Sequence, residues 1–125
     1  MNDRPGPPQA APHTPATPPH TPATPPDPWD TIGRLHDWLE SHNQRAPQEA
    51  LLLRMLKLSE EVGEVSEAVI GAMGQNPRKG TSHTWDDVRA ELCDVIITAM
   101  VALRTLTPDA EAVLAAHLRR VAERV

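Results

Sequence analysis

Proline placement constrains this chain more than any other feature. Eleven of its 14 prolines fall within the first 28 residues, and the remaining three, Pro47, Pro77 and Pro108, stand singly. Proline fixes φ and has no amide hydrogen to donate, so a stretch this dense in it builds neither a helix interior nor a central strand. The same stretch holds a tandem heptapeptide, His13–Pro19 repeated as His20–Pro26, and almost no large apolar side chain. Residues 1–28 are therefore expected to form a disordered, proline-rich tail sampling extended polyproline II states. A PxxP-type docking role is conceivable for it, although no partner is implied by the sequence. The folded domain is expected over residues 29–125.

That domain has to build its core without Phe or Tyr, from aliphatic side chains, Met and three Trp. A core this small covers apolar surface more easily by self-association, so a homodimer or a dimer of dimers is expected. Between Trp29 and Val125 there are 15 acidic and 11 basic side chains. An acidic balance argues against a nucleic-acid polymer as partner, since that contact wants a basic face. Cys93, the single cysteine, excludes an intrachain disulfide, fits a reducing cytosol and is expected to pack as a small core residue. No apolar run approaches the ~20 residues of a membrane span, and no basic-then-apolar leader pattern is present. A cytoplasmic protein without a membrane partner is the expectation.

Apolar spacing divides the domain into four helices. Asp27-Pro28 reads as N-cap and first helical position, followed by a stripe of Trp29, Ile32, Leu35 and Leu39 that ends near His42-Asn43. A second helix opens at Pro47 and repeats Leu51, Met55, Leu58, Val62, Val65 and Val69, closing near Gly71–Gly74. Asn76-Pro77 and Gly80 mark a loop over 75–83. Thr84 caps a third helix with Asp86 and Asp87 in its first turn and a stripe of Val88, Leu92, Val95, Ala99, Leu103 and Leu106. Thr107-Pro108-Asp109 starts a fourth, with Leu114, Leu118, Val121 and Val125 on one side. No stretch alternates with period two. The expected fold is all-α, an antiparallel four-helix bundle.

Two acidic groups stand out on these helices, Glu60-Glu61-Val62-Gly63-Glu64 and Glu91-Leu92-Cys93-Asp94. At about 100° per residue, Glu61 and Glu64 lie roughly 60° apart beside the apolar stripe of helix two. Glu91 and Asp94 hold the same angular place on helix three. The depths match as well: at 1.5 Å per residue the first pair is centred ~16 Å before the end of helix two, and the second ~13 Å into helix three. A short connection makes the two helices antiparallel neighbours, so four carboxylates are expected to meet at one edge of their seam. Such a cluster is repulsive unless a cation relieves it, and an all-oxygen set suits a hard divalent ion, Mg²⁺ or Mn²⁺ (or Ca²⁺), over zinc. A single ExxE is more often a solvated helix face; two groups matched in angle and depth favour a metal site. Gly63 beside the acids would allow a ligand or another helix to approach closely, at a cost of ~1 kcal/mol relative to alanine.

Glu60-Glu61-x-x-Glu64, then 26 residues, then Glu91-x-x-Asp94 resembles the EExxE…ExxD signature of the MazG-like all-α nucleotide pyrophosphohydrolases. The resemblance runs from about Trp29 to Arg124, is closest to the short single-domain members, and excludes the tail. It implies hydrolysis of a canonical or modified nucleoside triphosphate to monophosphate and pyrophosphate, by water attacking the α-phosphorus. Carried over by position, it makes Glu61, Glu64, Glu91 and Asp94 ligands of Mg²⁺, and Glu60 the carboxylate that orients or deprotonates water. It also places His36 and Trp38 where relatives line a base pocket from their first helix. Arg78 and Lys79 in the loop would meet phosphate oxygens, if they are more than solvated loop charge. One departure is plain: the Lys and Asn that many relatives carry in the last helix are missing from His117–Val121, where Arg119, Arg120 or a second subunit would have to substitute. The alternative is a non-catalytic helical module that holds Mg²⁺–nucleotide or a protein partner.

Overall fold

A computed structural model describes residues 24–125, so most of the tail expectation lies outside the described residues. Every regular element among them is helical: α1 (Pro28–His42), α2 (Pro47–Met73), α3 (Trp85–Leu106) and α4 (Ala110–Ala122).

The boundaries follow local chemistry. The Asp27 carboxylate accepts the Trp29 amide at the start of α1, and Pro28 sits where no helical donor is needed. Gly74 ends α2 in the left-handed conformation, φ 65°, which costs a residue without Cβ nothing. At α3 the Thr84 hydroxyl accepts the Asp87 amide while the Asp87 side chain takes the Thr84 amide, a reciprocal capping box. Those bonds from Thr84 hold the Asp87 carboxyl below its ordinary value.

Helix α3 is the hub, pairing most extensively with α2, then with α1, and least with α4. Ile32, Val88, Val101, Ala102 and Ala110 are buried, and on α2 the buried residues are Ala50, Glu61, Ala68 and Gly71. The seam on α2 is therefore turned away from the expected stripe. Met55 and Val62 are exposed, as are Leu92 and Leu106 on α3, whereas Leu58, Val65 and Val95 keep partial cover. Small residues mark the buried face, Ala50, Ala68 and Gly71, and small side chains let a neighbouring segment come closer than larger aliphatics would. Cys93 is exposed and not a core residue. Helix α4 is the least covered of the four, with Leu114, Leu118 and Val121 open to solvent.

One polar bridge ties three helices together. The Arg54 guanidinium donates to Glu40 Oε1 of α1 at 2.5 Å and to Thr105 Oγ1 of α3 at 3.0 Å, and the Thr105 hydroxyl donates to the Val101 carbonyl. A largely covered arginine needs these partners, since a charge out of water is tolerated only when paired and hydrogen-bonded.

Candidate metal centre

Helix α2 presents Glu61 and Glu64 on adjoining turns, and α3 brings Glu91 to meet them. One carboxylate oxygen from each of the three lies within 4.8 Å of the other two. Glu61 is buried, 8 % exposed, because it stands on the seam itself and not beside it as the spacing suggested. Glu64 and Glu91 are half-buried. Crowding has an electrostatic cost: the Glu61 charge, then loss of hydration, then Glu91, push the Glu64 carboxyl above its ordinary value.

Lys57 partly offsets that charge. Its ammonium is 2.9 Å from Glu61 Oε1 and 3.1 Å from Glu60 Oε2, one turn back along α2. The hydrogen bond to Glu61, and then that to Glu60, raise the lysine well above its usual range. Glu60 is otherwise turned outward, its side chain 60 % exposed. Asp94 is exposed and does not join the trio among the described residues.

A cavity of about 500 Å³ opens between α1, α2 and α3. Leu35, Trp38, Leu53, Lys57, Ile97 and Val101 are among its walls, so Lys57 belongs both to the cleft and to the carboxylate cluster. Trp38 lies at the cleft with more than half its surface free, its ring tilted 39° against His42 with centroids 4.6 Å apart. His36 is not a cleft residue; its Nδ1 meets Asp37 at 3.3 Å and its Nε2 faces Glu40 at 3.9 Å, next to the Arg54 bridge. Arg78 and Lys79 are exposed in the loop between α2 and α3, and neither borders this cleft. Lys79 instead borders a separate cavity of about 160 Å³ with Glu67, Gly71 and His83.

Lys57 and Arg54 lie outside the acidic motif and yet hold its surroundings together. Lys57 had a usable signal, a lysine three and four residues before a pair of glutamates, the spacing at which helical side chains meet. Arg54 had none, because its partners come from other helices.

No protein-family description matches the chain, and no curated protein or solved structure is similar to it.

Proposed function

We propose that this chain is a divalent-metal-dependent nucleoside triphosphate pyrophosphohydrolase of the MazG-like kind. The observation that carries the reading is the convergence of Glu61, Glu64 and Glu91 from two helices onto a span of less than 5 Å. Three oxygens so close, all from carboxylates, form a donor set of the hard kind that Mg²⁺ or Mn²⁺ takes, with water or phosphate oxygens filling the remaining positions. Asp94 is the fourth ligand that the motif suggests, one helical turn from Glu91. When bound, the ion would polarise phosphoryl oxygens and offset the charge of departing pyrophosphate.

The protein's own groups supply the rest. Glu60 accepts a proton from the water that attacks the α-phosphorus, whose bond to the bridging oxygen breaks as pyrophosphate leaves. The cleft, which Lys57 shares with the cluster, offers Trp38 as a flat apolar surface for a base. Arg119 and Arg120 of α4 are candidates for further phosphate contacts in an assembled protein.

Assembly as a homodimer or a dimer of dimers is part of this proposal. Leu52 and Leu56 of α2, Ile96 of α3 and Leu118 of α4 are each more than half exposed, a large apolar area for one small domain. Light scattering at micromolar concentration is expected to report at least twice 13.7 kDa. A monomer would remove this part of the proposal and leave the metal cluster untouched.

A second reading draws on the exposure of Asp94 and the ion pairs of Lys57: a module that binds Mg²⁺–nucleotide without turnover. A panel of canonical and modified nucleoside triphosphates separates the two. The hydrolase is expected to release pyrophosphate, not orthophosphate, from at least one of them, and only with Mg²⁺ or Mn²⁺. Metal and nucleotide binding without any pyrophosphate would establish the module instead.

A further inference from the structure

We propose that Lys57 is an exchangeable counter-cation, neutralising Glu60 and Glu61 in the metal-free protein and passing to the triphosphate when metal takes Glu61. The inference rests on the hydrolase reading of the same site. Three observations carry it. Lys57 Nζ lies within 3.1 Å of both carboxylates. Glu61 is buried, so its charge requires a partner at all times, metal or ammonium. Lys57 is also a wall of the cleft and nearly half exposed, so its head can leave Glu61 without unpacking the helix.

A divalent ion on Glu61 repels an ammonium less than 3 Å from the same carboxylate, and the mobile partner is the one that gives way. A lysine stem has four rotatable bonds and reaches ~6 Å, far enough to turn from the carboxylates into the cleft beside them. A triphosphate held at the metal brings concentrated negative charge to that place. The other cations bordering the cleft are committed elsewhere, Arg54 to Glu40 and Thr105, and Arg45 to Glu49. Metal loading would thus release a phosphate contact that the metal-free protein keeps occupied, ordering metal before substrate.

Mn²⁺ titration of the full chain, followed by electron paramagnetic resonance without nucleotide, tests the first half. Lys57→Met removes the competing charge, and its Mn²⁺ dissociation constant is expected to fall ~10-fold. The second half is read with a non-hydrolysable α,β-methylene triphosphate at saturating Mn²⁺. Its affinity is expected to drop ~10-fold in Lys57→Met and to recover largely in Lys57→Arg. Wild-type protein supplies a measurement independent of any variant. Lys57 and Lys79 are the only lysines, so two ε-methylene signals are expected in a lysine-labelled spectrum, one of which shifts on adding Mg²⁺ and again on adding the analogue. If wild type binds Mn²⁺ and Lys57→Met binds it equally or more weakly, or if analogue affinity is unchanged, the exchange is overturned and the metal site stands. Wild type that ignores Mn²⁺ overturns the exchange and the metal reading together.

Discussion

Replacing Glu64 with Gln is expected to reduce pyrophosphate release at least ~100-fold while leaving the metal-free protein as stable as wild type or more so. The two halves have one cause. Glu64 is held against Glu61 and Glu91, and the repulsion shows in its raised carboxyl. A carboxylate whose folded value is raised opposes folding once it ionises, so at neutral pH the uncharged amide relieves the metal-free fold. With metal bound the balance reverses. The charge becomes part of the donor set, and a misplaced ion forfeits several kcal/mol of transition-state stabilisation, where ~2.7 kcal/mol already corresponds to ~100-fold. Glu67→Gln, on the same helix but outside the trio, is expected to behave as wild type. Thermal melts without metal and pyrophosphate assays with Mg²⁺ check both halves. Wild-type turnover in Glu64→Gln would remove the cluster from the mechanism, whereas a large loss of metal-free stability would make Glu64 a structural residue.

The second large effect separates two glycines of α2. Gly63→Ala is expected to raise the melting temperature and Gly71→Ala to lower it, with the pair differing by about 10 °C. Alanine gains up to ~1 kcal/mol of helix propensity at either position. A Cβ on Gly63 meets nothing within 4 Å, so that gain is kept, and close helix packing within the chain does not account for this glycine. On Gly71 the Cβ collides with the His83 ring and comes 2.6 Å from Ser82 Oγ. Ser82 donates its amide to the Gly71 carbonyl at 3.1 Å, and its side chain bonds His83, so the loop end leading to α3 is seated on this glycine. Forcing it off is expected to cost about 1–3 kcal/mol, beyond the propensity gained. Equal stabilisation of both variants would show that His83 and Ser82 move aside freely. Loss of turnover in a stable Gly63→Ala protein would identify Gly63 as the place where substrate or a second subunit approaches the acids.

Much of this protein was determined by its sequence alone. Pro28 and Pro47 start helices, Gly74 stops one, and Thr84 with Asp87 caps another, because these residues act through bonds to their own neighbours. The meeting of Glu61 and Glu64 with Glu91 was also legible, since helical rise and turn fix angle and depth once two helices are paired. Rotation about the helix axis was not. Apolar residues lie on several sides of α2, among them Leu51, Leu52, Leu53, Met55, Leu56, Val62 and Ile70, so its periodicity fits more than one buried face. Tertiary packing chose the face with Ala50, Ala68 and Gly71, which is the buried one. That choice buried Glu61, left Met55 and Val62 outside and set the Lys57–Glu61 pair at the edge of a cleft. It is a choice between whole surfaces of two helices, and local periodicity carries no information about which surface a distant helix will fit.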